Sequence, residues 1–462
     1  MNSRKALKLK SKATASIVDS KQLSSKSALL SPNVEYRNPT KLKRFPHNSR
    51  QHSSKQIALI ARSIEGHGFF RPVLIDEMGT ILTGHGTVEA AKQLHMKEVP
   101  TLTLVGLTQE KKRTLVLADN ALAEKSSWDM DALKLELSEL IDLEIDVELS
   151  GFLTGEIDVI LDSGDGDGDG LADPEDLLPE IEERAVTKLG DVWNLGPHRI
   201  VCADARSAST YEALLKGELA QMVVTDPPFN VPIRGHARGR SKKKHREFAM
   251  ASGEMSIPVF TGFLEKVMGR AVEFSDSGSI HYWCSDWRHL PELLRASTGL
   301  YSEWKNLLVW RKSNAGQGSF YRSQHELIAV FKAGSGKHIN NFGLGSEGRH
   351  RSNVLDYPGG SPLVSTRREE LDMHPTVKPV PLIADLMRDC SKRNGVILDL
   401  FGGSGTAILA AEEAGRRARV VEIDPLYVDL AIRRWQRKTG GTATLENSGL
   451  SFDRIAEVPG HD

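Results

Sequence analysis

A short apolar run, Gln221-Met222-Val223-Val224-Thr225, stops abruptly in Asp226-Pro227-Pro228-Phe229-Asn230. Such a run is too short for a helix and rich in β-branched residues, so it fits a central parallel strand. The prolines remove backbone donors and end the ladder there. A strand of this kind requires helices packed on its sheet, which predicts an α/β fold whose chemistry collects at the carboxyl edge, where Asp226 stands.

The four residues at that edge have a definite chemical capability. An exocyclic amine on a nucleic-acid base is a poor nucleophile, because its lone pair is delocalised into the ring. The Asp226 carboxylate and the Pro227 carbonyl, fixed side by side, accept both N–H bonds and turn the lone pair toward an incoming methyl group. Pro228 helps hold that geometry rigid, and Phe229 offers an apolar face on which a base taken out of its stack can lie. Asp-Pro-Pro also suits an ordinary strand-ending turn, so the rest of the chain must decide.

A second strand, turn and helix follows at Gly395-Val396-Ile397-Leu398-Asp399-Leu400-Phe401-Gly402-Gly403-Ser404-Gly405-Thr406-Ala407-Ile408. The glycines let backbone amides approach a ligand, and the helix start favours an anion. Further on, Val420-Val421-Glu422 ends another strand in an acid placed for ribose hydroxyls. Alone, this would equally suit NAD. Asp399 directly before the glycines repels a pyrophosphate, however, and attracts the ammonium of S-adenosylmethionine.

Upstream lies His374-Pro375-Thr376-Val377-Lys378-Pro379. This hexapeptide, the Asp-x-Phe-Gly-Gly-Ser-Gly-Thr turn and Asp-Pro-Pro-Phe together resemble the motifs of amino-group DNA methyltransferases across nearly all of residues 188–440. The catalytic strand precedes the cofactor strand, as in the permuted (beta) subgroup of that family, whose target-recognition segment lies between the two motifs, here within 231–370. The resemblance implies a Rossmann-like S-adenosylmethionine-dependent domain with a mixed, mostly parallel sheet. It implies that Asp226, Pro227, Pro228 and Phe229 handle a flipped base, and that Asp399, Phe401, Gly402, Gly403, Ser404, Gly405, Thr406, Glu422, Thr376 and Lys378 build the cofactor pocket. Asp204, read as ending the strand beside the catalytic one, is the expected partner of the cofactor's adenine, against a plainer role as a helix cap. Phe229 stands where Tyr is commoner in the adenine enzymes, and the serine frequent at the first position of cytosine-N4 enzymes is absent. The reading is adenine-N6 methylation of double-stranded DNA. Cytosine-N4 methylation and a ParB-like DNA-binding scaffold with an inert methylase domain remain as alternatives.

The chain has 462 residues, more than one core usually holds, with 60 Lys+Arg against 61 Asp+Glu. Overall charge is therefore silent, but its distribution is not. Residues 1–33 read as a basic, Ser-rich disordered leader. Residues 34–106 read as a small α/β module: a helix over Ser54–His67, a strand at Arg71–Asp76, then strand, glycine loop and helix from Ile81, and a strand over Val99–Leu104.

The Gly68-Phe69-Phe70-Arg71-Pro72 lead-in, the glycine loop and the Asp119-Asn120 pair make this module resemble the N-terminal domain of ParB-type partition proteins. In that family the loop commonly reads Gly-Glu-Arg-Arg and faces a nucleotide triphosphate. Here it is Gly84-His85-Gly86-Thr87, and the missing arginines argue against nucleotide binding. His85 reads as a lone exposed histidine with an incidental role.

Residues 107–160 form a helical extension with an apolar stripe through Leu115, Leu117, Leu122, Leu133, Leu137 and Ile141, read as packing surface, and Trp128 in a connection. Residues 161–187 are an acidic Gly/Asp linker. Within it Asp165, Asp167, Asp169, Gly170 and Asp176 mimic a calcium loop, but position 12 lacks the bidentate Glu, so a linker is the reading and no metal is expected. Residues 188–443 are the methyltransferase domain and 444–462 a tail.

Directly after the catalytic motif, Arg234, Arg238, Arg240, Lys242, Lys243 and Lys244 sit among Gly and Ser, expected to grip phosphates. Tyr321 and Arg322 are candidate base or phosphate contacts, whereas Trp283 and Trp310 read as core. Cys202, Cys284 and Cys390 lack metal-ligand spacing and read as reduced, structural thiols. With no apolar leader segment and no run of about 18 apolar residues, a cytoplasmic, nucleoid-associated protein without a membrane partner is expected. A homodimer is left open.

Overall fold

The run leading to Asp226 is strand β7 (Ala220–Thr225), and its neighbours on both sides are parallel to it. The structure is a computed structural model that describes residues 33–124, 128–162, 184–230, 253–313, 321–342, 351–357 and 377–457. Two units divide at Phe152/Leu153.

The first unit carries a four-stranded sheet in the order β1-β4-β2-β3, built from β1 (Glu35–Arg37), β2 (Val73–Asp76), β3 (Ile81–Thr83) and β4 (Val99–Leu104). Helix α1 (Ser54–His67) starts where read, because Ser53 accepts the Gln56 amide at its first turn. Its Ala61 and Ile64 meet Ala90 of α2 (His85–Gln93) in one apolar cluster. Asp76 closes the β2–β3 turn by accepting the amides of Met78 and Thr80, and Lys112 pairs with it at 2.9 Å, both side chains buried.

Two expectations need correction in this unit. His85 is half-buried rather than exposed: its Nε2 lies 3.4 Å from the Phe45 amide, and burial, followed by the charge of Arg44, lowers its pKa to about 4. The helical stripe is also not one packing face. Along α3 (Gln109–Glu124) and α4 (Met130–Asp142), Leu137 is buried, whereas Leu117, Leu122 and the connecting Trp128 are exposed by more than half.

The second unit is built on a ten-stranded mixed sheet in the order β11-β9-β10-β8-β7-β12-β13-β6-β5-β14. Its strands are β5 (Val192–Leu195), β6 (His198–Cys202), β7, β8 (Ser275–Ser285), β9 (Glu303–Arg311), β10 (His325–Lys332), β11 (Val354–Asp356), β12 (Val396–Asp399), β13 (Arg417–Glu422) and β14 (Thr444–Leu445). Strand residues alternate between two cores. Met222 and Val224 pack with Leu382, Ile383 and Met387 of the helix Val380–Cys390, whereas Val223 packs with Leu264 and Val267 of the helix Ile257–Glu273. Covering both faces is what permits the continuous apolar run of β7. Trp283 and Trp310 are core, as read, and all three cysteines are free and buried.

β5 and β6 form the hairpin expected around Gly196-Pro197. β6 does not adjoin the catalytic strand, however. β12 and β13, formed much later in the chain, lie between them, so Asp204 follows a strand three places from β7. The stretch after residue 443 joins the domain: β14 extends the sheet, and Phe452 and Ile455 enter the core. Helix α5 (Thr154–Asp162) packs with this unit through Asp158, buried against Arg416 at 2.9 Å. Among the described residues no helix is long and apolar enough to cross a membrane.

Candidate active site

β7 and β12 run side by side, and the chain leaves them in opposite directions across the sheet, β7 toward β8 and β12 toward β13. A crevice opens where strand order reverses in this way. Asp226 and Asp399 stand at its two lips. Thr225 ties them together, its hydroxyl donating to Asp399 Oδ1 at 2.7 Å while its Oγ1 accepts the Leu400 amide at 3.1 Å. The pocket at this edge is lined by Asp226, Pro227, Pro228, Phe229, Lys378, Asp399, Phe401, Gly402, Gly403, Ser404, Thr406 and Glu422, which brings together nearly the whole expected set.

Two glycines of the turn are required by the packing of the strand and helix behind it, whereas Gly403 has open space where a Cβ would point. A Cβ on Gly402 would stand 2.4 Å from Val420 Cγ1. Gly405 caps the helix Thr406–Ala414 in the left-handed region with φ +83°, where a Cβ would meet that of Ala431 at 2.6 Å. The Gly403 amide donates to Glu422 at 2.7 Å, and the Asp424 amide donates to the same carboxylate at 2.8 Å. Glu422 therefore braces the turn as well as facing the pocket. The Ser404 hydroxyl is bound by Arg434 at 3.0 Å, and Phe401 packs on Phe263.

Burial sets the electrostatics. It pushes the Asp399 carboxyl up to about 7, against the opposing bonds from Thr225 and the Phe401 amide. It raises Glu422 and Asp226 as well. At Asp226 the Lys378 ammonium, 2.5 Å from Oδ2, opposes the rise, and the 28% exposure of the side chain tempers it. Asp226 Oδ1 is buried and has no hydrogen-bond partner. A buried acceptor left in that state costs about 1–3 kcal/mol, and a donor on a bound molecule relieves it.

Lys378 lines this pocket, where it also meets a carboxylate. It is the counter-ion of the Asp226 carboxylate, and its ammonium lies 5.6 Å from the centre of the Phe229 ring and 5.9 Å from that of Trp310. Glu326, the second residue of strand β10 and absent from the expected set, pairs with the same ammonium at 2.9 Å. The available signal is a lone acid heading an otherwise apolar run, Leu327-Ile328-Ala329-Val330-Phe331. Ile423, Asp424 and Tyr427 also line the pocket without having been singled out. Asn230 takes φ +54° and binds Gly253 and Met255 through its side chain, holding them beside the Asp226-Pro227-Pro228-Phe229 stretch.

Asp204 lies outside this lining. Its carboxylate is held by Arg206 at 2.7 Å, and it follows β6, whose Cys202 is in register with Glu422. Tyr321 and Arg322 are exposed just before β10. Thr376, the calcium-like segment and the basic residues Arg234, Arg238, Arg240, Lys242, Lys243 and Lys244 lie outside the described residues. No metal-binding cluster occurs among the described residues.

Residues 220–433 match the family model described as DNA methylase, for amino groups at N6 and N4. This stretch is a domain of the N6/N4 DNA methylase family, joined to a ParB-like module. This methylase family uses S-adenosylmethionine, and the chain's own pocket fits that group: Asp399 and Glu422 supply acids from adjacent strands, and Gly403 lines the pocket with open space where a side chain would point. The ParB-like assignment rests on a stretch of 80 residues that is 46% identical to the Escherichia coli ParB-like nuclease domain-containing protein YnaK, covering 17% of this chain and 92% of that protein. Residues 131–189 match a ParB-methyltransferase HTH domain, which spans part of the helical extension and the acidic segment, a unit that composition alone does not delimit.

Within the methylase, 87 residues are 34% identical to the type II methyltransferase M.ScaI of Streptomyces caespitosus, and 82 residues are 33% identical to the DNA adenine methyltransferase YhdJ of Escherichia coli. These stretches cover 19% and 18% of this chain and 29% and 26% of those enzymes, well under half of either.

Proposed function

We propose that this methylase transfers the methyl group of S-adenosylmethionine to the N6 amine of adenine in a base flipped out of double-stranded DNA. The observation that carries the reading is the pairing of Asp226 and Asp399 at the ends of adjacent parallel strands, joined through Thr225 in one pocket. When bound, the cofactor supplies an electrophilic methyl group on a sulfonium. Asp399, with its burial-raised carboxyl, receives the ligand ammonium. The turn from Phe401 through Gly402, Gly403, Ser404, Gly405 and Thr406 admits the ligand against the backbone, and Glu422 takes the ribose. Asp204 for the adenine and Thr376 complete the expected cofactor set.

On the catalytic side, Asp226 and the Pro227 carbonyl accept the two N–H bonds of the amine and direct its lone pair at the methyl carbon. Phe229 stacks on the base. Transfer from the sulfonium, forming N–C as C–S breaks, would leave the alkylated nitrogen with one proton to shed. Asp226 receives it: Lys378 keeps the carboxylate ionised beforehand, and burial raises its proton affinity. The likeness to an adenine enzyme and the absence of a leading serine favour adenine over cytosine N4. In this proposal the ParB-like and HTH stretches, Tyr321, Arg322 and the basic residues after Asn230 supply contacts to the duplex, a role suited to a nucleoid-associated protein of the cytoplasm. The intact carboxylates of the pocket argue against an inert scaffold.

Asp226→Ala tests the assignment. Methyl transfer to DNA should fall by about 10²–10⁴-fold, the range for removing a group that handles a proton in the transition state, with cofactor affinity preserved. Retained transfer, or a parallel collapse of cofactor binding, would overturn the role given to Asp226.

A further inference from the structure

The Lys378 ammonium is shared between two carboxylates that come from different elements. Asp226 ends β7 and takes it at 2.5 Å through Oδ2, and Glu326 on β10 meets it at 2.9 Å in a close ion pair rather than an aligned hydrogen bond. Lys312, just beyond β9, holds the other oxygen of Glu326 at 2.5 Å. The four charges alternate in sign through successive ion pairs, and Lys378 is 5% exposed. An ammonium so deeply buried keeps its place only when its donors are committed.

We propose that Glu326 is a positioning residue for the methyl-transfer reaction: by anchoring Lys378, it keeps the ammonium on Asp226 Oδ2, so that Oδ1 remains the acceptor for the substrate amine. This rests on the methyltransferase reading above. Glu326 touches neither the base nor the cofactor in that scheme and acts through Lys378. Lys312 makes the anchor rigid, since Glu326 is itself held from a second side.

The charges around Asp226 make the proposal measurable. Lys378 and Lys312 favour its ionised form, Glu326 and Asp399 disfavour it, and Cys284 nearby is held neutral by burial. Removing the Glu326 charge deletes a repulsion, so the carboxylate should protonate at lower pH. Removing Lys378 deletes the attraction, so it should protonate at higher pH.

The experiment compares the full-length wild type with Glu326→Gln and Lys378→Met in single-turnover methylation of DNA at saturating S-adenosylmethionine, across pH. Cofactor affinity and thermal midpoint serve as controls for folding. Glu326→Gln should lower the rate roughly tenfold, the size of coupling found within one ion-pair network, and move the acid limb to lower pH. Lys378→Met should move that limb the other way. An unchanged rate and limb in a folded, cofactor-binding Glu326→Gln variant would overturn the proposal. So would a rate loss with no shift of the limb, which is what a purely structural role produces. Failure of the wild type to methylate any DNA would instead defeat the functional reading itself, so the two failures are distinguishable.

Discussion

Asp399 is the side chain whose ionisation most directly connects this pocket to solution conditions. Burial holds its carboxyl at about 7, so near neutrality the empty pocket contains a mixture of charged and neutral forms. An ammonium ligand selects the charged form. Affinity for S-adenosylmethionine should therefore rise with pH up to about 7, then fall once the ligand's own α-amino group, with an ordinary pKa of about 7.7–8.0, loses its proton. Titration calorimetry from pH 5.5 to 9 should give a bell, and Asp399→Asn should bind more weakly and lose its acid side. Flat affinity below pH 7 in the wild type would show that Asp399 does not carry this charge. Neighbouring residues differ in how openly they announce themselves. Asp226 and Asp399 each follow an apolar run directly and are legible from local pattern. Glu326 is not: its meaning comes from Lys378, and Lys378 in turn meets Asp226 across 152 residues of chain, a contact that only folding creates.

Among the elements, the turn between β12 and the helix Thr406–Ala414 bears a strict packing demand beside the pocket. Gly405 combines φ +83° with a neighbour at 2.6 Å, whereas Gly403 has φ +48° and open space where its Cβ would point. Gly405→Ala should cost the backbone strain plus about 1–3 kcal/mol of overpacking, and Gly403→Ala the strain alone, about 1–2 kcal/mol. Urea unfolding of the two variants should separate them, with Gly405→Ala the less stable; equal losses would show that Ala431 yields freely. The strands themselves were largely readable, since β-branched runs bounded by Gly and Pro have few alternatives. Sheet order was not. Asp204 precedes the catalytic strand in sequence by one helix, yet β12 and β13 insert between the two strands in space. Chain adjacency is a fair guide to strand adjacency, and it fails where a permuted sheet brings later strands into its middle. The exposed Leu117 and Leu122 mark a similar limit, because helical periodicity identifies a face without identifying what covers it.

For the molecule as a whole, a ParB-like module and an HTH stretch precede a methylase, and the second unit begins before the acidic segment: α5 is fastened by the buried Asp158–Arg416 pair. Removing one partner from such a pair leaves an uncompensated charge, which explains why α5 belongs to the sheet domain rather than to a detachable extension. The proposed chemistry nevertheless converges on one crevice, where a carboxylate and a carbonyl would meet an amine. Adenine and cytosine both present such an amine, so the identity of the base is the decisive question. Unmethylated DNA should be incubated with the full-length protein and S-adenosylmethionine, digested to nucleosides and analysed by mass. The expected product is N6-methyladenine, lost in Asp226→Ala; N4-methylcytosine, or no methylated nucleoside at all, would contradict the account.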